Sequence, residues 1–302
     1  MRFPDTSRFL RPAGPLLAAL LLTAGCGSFF SLSGPQFREV LLQGEGSDKL
    51  LMIDISGPIS NDPMLIPNVG VIPGLTARIR QELELAFDDS SIRGILLRID
   101  SPGGTLTDSD VIYHSLMEFK KTKKVKIVAA MGDLAASGAV YIAMAADEIY
   151  AHPTTITGSI GVILPHMDFS GLGEKLGVRS DPVHTGTYKD IGDPLRRRTG
   201  DEQKMLQAIA DRQFEKFVKV VTDGRPKLTE AQVRKMADGR VFTADEAKEK
   251  GLIDSIGYLD DAYKRLARLA GFPRNRLVRY TNAWMTGNNI YSNSYPIEFI
   301  QH

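Results

Sequence analysis

A serine at a sharp turn is the first group in this chain that could do chemistry. Residues 131–147 read MGDLAASGAVYIAMAAD. A β-rich run, Val125 to Met131, precedes Ser137, and a buried helix from Gly138 to Ala145 follows it. A hydroxyl at such a junction lies at a helix N-terminus, where free backbone N–H groups favour developing negative charge. Alone, the same residue reads first as an ordinary helix N-cap. A second element bears on the choice. The buried strand GILLRID ends in Ser101-Pro102-Gly103-Gly104. Glycine there lets the backbone turn and approach a ligand without a Cβ in the way. A peptide N–H of Gly104 or its neighbour could face a bound carbonyl oxygen. Taken by itself, that run is a tight turn.

Other chemistries find less support. The five histidines, 114, 152, 166, 184 and 302, have no metal-ligand spacing, and Cys26 is the only cysteine. An intrachain disulfide is therefore impossible, and no metal site or cofactor is expected. A formal net charge of +1 gives no electrostatic case for nucleic acid. The 302 residues suit one large domain or two ordinary ones of globular composition.

The N-terminus reads as an export signal. Arg2, Arg8 and Arg11 precede an apolar core from Leu16 to Leu22, then Thr23-Ala24-Gly25-Cys26. Residues 1–25 resemble a lipoprotein signal, with Cys26 the lipidated residue. Because no charge falls between Arg11 and Arg38, an uncleaved membrane anchor is the other reading. Both tie the remaining chain to a membrane on its extracytoplasmic side, the periplasmic side in a Gram-negative bacterium. Residues 26–47 read as a tether.

The elements that must hold the serine follow. Leu50 to Ile55 is a strand, and residues 57–74 hold too many glycines and prolines for regular structure. Thr76 to Phe87 is a helix, Arg93 to Asp100 a strand, Thr105 to Phe119 a helix and Glu148 to Ala151 a strand. This alternation predicts an α/β fold with a mainly parallel sheet. Phe169 to Leu176 is a short helix stopped by Gly177. Three capping boxes, Thr199/Glu202, Thr229/Gln232 and Thr243/Glu246, open a helical C-terminal part. The first helix, Asp201 to Val221, is expected to bury Leu206, Ala210, Phe214, Phe217, Val218 and Val221. A last helix runs from about Tyr258 to Leu269. Residues 273–302 lack periodicity and read as a mobile tail or an arm onto a neighbouring chain.

Five blocks in order are more specific than any one of them: RIDSPGG (98–104), DLAASGAVYIAMAAD (133–147), TGSIGV (157–162), TGTYKD (185–190), and ADGRVFT with GLID (237–243, 251–254). With these the chain resembles the signal peptide peptidase A family, serine peptidases of the ClpP/crotonase fold group. Ala244 departs from the family pattern, which has glycine there. The resemblance covers residues 48–272 and implies stacked ββα units in a short, single-repeat form. It implies Ser137 as nucleophile, Lys189 as general base, Ser159 as the residue positioning the lysine, and the N–H groups of Gly104 and Gly138 as the oxyanion hole. A lysine acts as base only as the free amine, a form that burial in an apolar site favours. It further implies peptide substrates, remnant signal peptides among them, and a homo-oligomer whose working site draws serine and lysine from neighbouring chains. Two rival readings stand beside it: a crotonase-type acyl-CoA enzyme, against which the export signal argues, and a non-catalytic lipoprotein scaffold.

Overall fold

The computed structural model describes residues 37–66, 70–281 and 289–292. The expected signal sequence, Cys26 and the first part of the tether lie outside the described residues. The chain runs β1 (Arg38–Gly44), β2 (Lys49–Ser56), β3 (Met64–Ile66), β4 (Gly70–Ile72), α1 (Leu75–Asp88), β5 (Ile92–Ser101), α2 (Leu106–Lys123), β6 (Lys126–Ala136) and α3 (Gly138–Ala143). It continues through β7 (Glu148–Ala151), β8 (Ile156–Gly158), α4 (Ser170–Leu176), α5 (Gly200–Gly224), α6 (Glu230–Met236) and β9 (Val241–Thr243). It closes with α7 (Ala244–Glu249), β10 (Ser255–Ile256), α8 (Leu259–Ala270) and β11 (Arg276–Thr281). Among the described residues, no helix is long and apolar enough to cross a membrane.

The central sheet has the order β1-β11-β2-β5-β6-β7-β10, and β8 with β9 branches from β6. All of its pairings from β11 to β10 are parallel; β1 adds an antiparallel edge. This is the mainly parallel α/β class expected from the alternating pattern. Both faces are covered, so the central strands are apolar along nearly their whole length. Leu51, Ile53, Leu97, Ile99 and Ile127 face the layer of α1, α2 and α3. Leu50, Met52, Leu96 and Val128 face Leu259, Ala262 and Leu266 of α8.

Three expectations are corrected. The tether was too long: residues 38–44 form β1, paired with β11 from Arg38↔Thr281 to Gly44↔Arg276. The C-terminal segment is part of the sheet, for β11 inserts between β1 and β2. Its sequence lacks strand alternation because both of its faces are covered and Arg279 sits in the interior. Arg279 and Arg98 both pair with buried Asp54 on β2, at 3.2 and 2.7 Å. Arg98 also donates to the carbonyls of Ile290 and Ser292, which tie residues 289–292 to the sheet. Finally, the Gly- and Pro-rich stretch after β2 contains the β3–β4 ribbon.

Glu82 of α1 lies 2.5 Å from the guanidinium of Arg78, which also donates to the Asp54 carbonyl. Burial pushes its carboxyl up to about 7; Arg78 opposes the shift and Asp54 adds to it. In the unfolded chain a glutamate titrates near ~4.3. Between those values the folded protein keeps a proton that the unfolded chain has released. Stability is therefore full below the window, falls as pH rises through it, and levels off above. Urea unfolding from about pH 5 to about pH 8 should show this loss, near 1.4 kcal/mol per pH unit within the window. Glu82→Gln should flatten the slope; an unchanged slope would assign it to another group.

Candidate active site

The long strand β6 decides where Ser137 sits. The apolar run after Lys124 was expected to end at Met131, but the strand continues to Ala136. Its first half pairs with β7 and its last residues, Leu134 to Ala136, pair with β8. Ser137 follows at once, and α3 starts at Gly138. The Ser137 N–H donates to the Gly158 carbonyl at 2.8 Å, and the Ser137 carbonyl accepts from Tyr141 N–H at 3.1 Å. Both ends of the turn are therefore fixed.

Backbone geometry separates Ser137 from a simple cap. Its φ is 55° and ψ −119°, and its side chain makes no capping bond. Thr105, Thr199, Thr229 and Thr243 cap their helices in the ordinary way, with extended backbones and the side-chain oxygen accepting the N–H three residues on. A non-glycine residue in Ser137's conformation costs about 1–3 kcal/mol. The strain leaves the hydroxyl free of the helix end. Buried neighbours hold it: every residue of α3 is buried, and the Tyr141 hydroxyl donates to Asp110 at 2.6 Å. Burial and this bond push the Tyr141 phenol well above its ordinary range.

The glycine loop after β5 lies directly against this turn. A Cβ on Gly103, whose φ is +94°, would stand 2.8 Å from the Ala136 carbonyl oxygen, the Gly138 nitrogen and the Ser137 Cβ. A Cβ on Gly138 would lie 3.4 Å from the Gly104 nitrogen. The loop is pinned from the other side, because Ile59 N–H donates to Gly103 O and Thr105 N–H to Ile59 O, both at 2.9 Å. Those bonds use neither the Gly104 nor the Gly138 N–H, and neither donates to another described residue. Two free amides thus lie side by side next to the serine. Gly103 makes this approach possible; its place in the SPGG run was visible in sequence, its partner was not.

Ser137 and Ser159 line one open groove of about 480 Å³ with Ile163, Phe214, Asp211 and Asp238. Ser159 follows Gly158 on a left-handed turn, φ 51°, with its N–H on the Arg240 carbonyl at 2.7 Å. The groove wall is α5, which buries fully only Phe217, Val218 and Val221 of the residues expected to be inside. Leu206, Ala210 and Phe214 are half-buried, and Ala210 and Phe214 line the groove. The groove is acidic at its rim: Asp211 accepts from Gln207, and the hydrogen bond from Arg240 holds the Asp238 carboxyl below its usual range.

Lys189 is exposed in the loop between α4 and α5, and its amine bonds to no other described residue, Ser137 and Ser159 included. Ser137 and Ser159 share the groove, and Gly104 and Gly138 lie at the serine turn, while Lys189 makes no hydrogen bond to any of them.

The strained turn generates a stability test. Ser137→Gly should melt higher than Ser137→Ala, because glycine alone reaches this φ and ψ without steric cost. The usual order in a helix or strand is the reverse. Thermal unfolding of the two variants, with alanine melting higher, would contradict the conformation.

The model of peptidase family S49 matches residues 119–272, a segment that holds Ser137, Ser159 and Lys189. A protease of Synechocystis sp. is 43% identical over 190 residues, which cover 63% of this chain and 68% of that protein. A protein of Enterococcus faecium carrying the name signal peptide peptidase SppA is 32% identical over 265 residues, 85% of this chain and 74% of its own length. Among solved structures, a ClpP1 mutant from Listeria monocytogenes covers 70% of this chain and 93% of its own, with 17% identity and a TM-score of 0.44. On the family match and the length of the aligned relatives, the chain belongs to peptidase family S49 and is a serine-type peptidase.

Proposed function

We propose that this peptidase is a membrane-tethered endopeptidase that cuts peptides, remnant signal peptides among them, with Ser137 as nucleophile and Lys189 as base. One observation carries the reading: a strained, uncapped serine beside two unpaired backbone amides. In the reaction the Ser137 Oγ attacks the scissile carbonyl carbon while its proton passes to the Lys189 amine. The carbonyl oxygen becomes an oxyanion and accepts from Gly104 and Gly138 N–H. The C–N bond then breaks, and the lysine ammonium returns its proton to the leaving amine. Water, deprotonated by the same amine, hydrolyses the acyl-enzyme. Ser159, on the groove wall, would hold the amine by a hydrogen bond.

That Ser137 and Lys189 share no hydrogen bond within one chain supports a site shared between copies. So do exposed apolar side chains on the segment leading into the lysine loop, where Ile163 is 81%, Met167 70% and Leu176 68% exposed. Exposed apolar side chains of this kind suit burial against another chain. Assembly would cover them and desolvate the incoming amine, which favours the free base. In this reading Cys26 is lipidated, and the anchor keeps the extracytoplasmic domain near substrates left in the membrane.

Ser137→Ala and Lys189→Ala should each lower peptide hydrolysis by about 10³-fold or more. If the site is shared, exchanging subunits between the two inactive proteins should restore roughly a quarter of wild-type activity, since a mixed ring contains complete serine–lysine pairs. No recovery after proven exchange would place both groups in one chain, and full hydrolysis by Lys189→Arg would remove the lysine from the mechanism. Gly103→Ala should cost about 10²-fold in kcat, through displacement of the adjacent amides. The mass of the mature N-terminus decides between a lipid on Cys26 and an uncleaved anchor.

A further inference from the structure

Lys189 lies on a long loop without helix or strand, between Gly177 and Thr199. A base must be held to a fraction of an ångström for proton transfer, and a loop does not provide that unaided. The residue after the lysine poses a second difficulty. A free Asp190 carboxylate beside the amine would favour the ammonium over the base form.

Arg196 answers both. Its Nε and Nη2 donate to the two Asp190 oxygens at 2.6 and 2.9 Å. Its Nη1 and Nη2 donate to the two Glu202 oxygens at 2.9 and 2.5 Å. Glu202 lies in the first turn of α5, its side chain is only 2% exposed, and it also accepts from Thr199 N–H at 2.8 Å. The same helix lines the Ser137 groove through Gln207, Ala210, Asp211 and Phe214, about one to three turns further on. One planar fork, doubly bonded on each side, thus links the lysine loop to a rigid element. The other groups near Asp190 are His184, with Nε2 3.8 Å from the carboxylate, and Asp193, whose Oδ1 accepts from Leu195 N–H.

We propose that Arg196 is a positioning residue for Lys189. It fastens the lysine loop to the start of α5 and occupies the carboxylate that would otherwise bind the amine. This rests on the reading of Lys189 as the base. The closing experiment measures kcat, KM and the pH–rate profile of the full chain for Arg196→Gln, Arg196→Lys, Asp190→Asn and the Arg196→Gln/Asp190→Asn pair, with Lys189→Arg as control.

Arg196→Gln should lower kcat at least about tenfold with KM within about threefold, and move the acid limb of kcat/KM up by roughly one pH unit. Adding Asp190→Asn should return the limb while kcat stays low. Arg196→Lys, which keeps the charge but loses the fork, should leave the limb in place without restoring kcat. The limb position does not depend on the fraction folded, so a purely structural role would lower kcat and leave the limb unmoved. That result overturns the proposal, as does wild-type kcat in Arg196→Gln. Should Arg196→Gln fail to fold, Asp190→Asn is read instead: reduced kcat with the acid limb moved down, because the Arg196 guanidinium has lost its neighbouring carboxylate, supports the clamp, and wild-type kcat or an unmoved limb overturns it. Full hydrolysis by Lys189→Arg would instead sink the base assignment and the clamp with it; an inactive Lys189→Arg beside a wild-type Arg196→Gln removes the clamp alone.

Discussion

The site depends on two backbones approaching more closely than any side chain would permit. The loop after β5 and the turn after β6 come from neighbouring parallel strands, and Gly103 packs against Ser137 and Gly138 where a Cβ would collide with backbone. Parallel neighbours in register end side by side, so their following loops meet at the same edge of the sheet. Here one loop carries the hydroxyl and the other an amide. Strain at Ser137 is the local cost of aiming that hydroxyl outward. The buried α3 and the bonds from Ser137 to Gly158 and Tyr141 hold the strained conformation.

The sheet that sets this geometry is held from both faces and along its length. Apolar layers do most of that. The exception is the ladder of Asp54, Arg98 and Arg279 across β2, β5 and β11, on the α8 face. A buried carboxylate between two guanidiniums is costly to create and costlier to break. Its position gives it a use, for it joins strands far apart in the chain, and Arg98 extends the link to residues 290 and 292. Residues 276–281 are thus part of the core that supports the candidate site.

Ser137 and Lys189 belong to parts of the fold with different character. Ser137 sits on an interior strand–helix turn with its backbone fully determined. Lys189 sits on an exposed loop whose order comes from polar bonds to α5. Membership in a serine peptidase family removes the acyl-CoA and scaffold readings.

The sequence by itself determined the α/β class, the parallel sheet, the serine junction and all three capping boxes, because each rests on local pattern. Apolar runs of strand length, glycine pairs at strand ends and Thr-x-x-Glu starts act over a few residues. The blocks around 98–104, 133–147 and 185–190 likewise pointed to the family. Only the tertiary structure decided that residues 38–44 and 276–281 are strands: the first is an exposed edge strand that exists by pairing with β11, and the second, covered and carrying a buried arginine, loses its alternation. It alone decided the positive φ of Ser137, the contact with Gly103, and the link from Arg196 to the residue beside Lys189. The contact of Gly103 with Ser137 joins positions 34 apart, and the Arg196 bonds, though only six positions long, depend on how an irregular loop folds, so local pattern records neither.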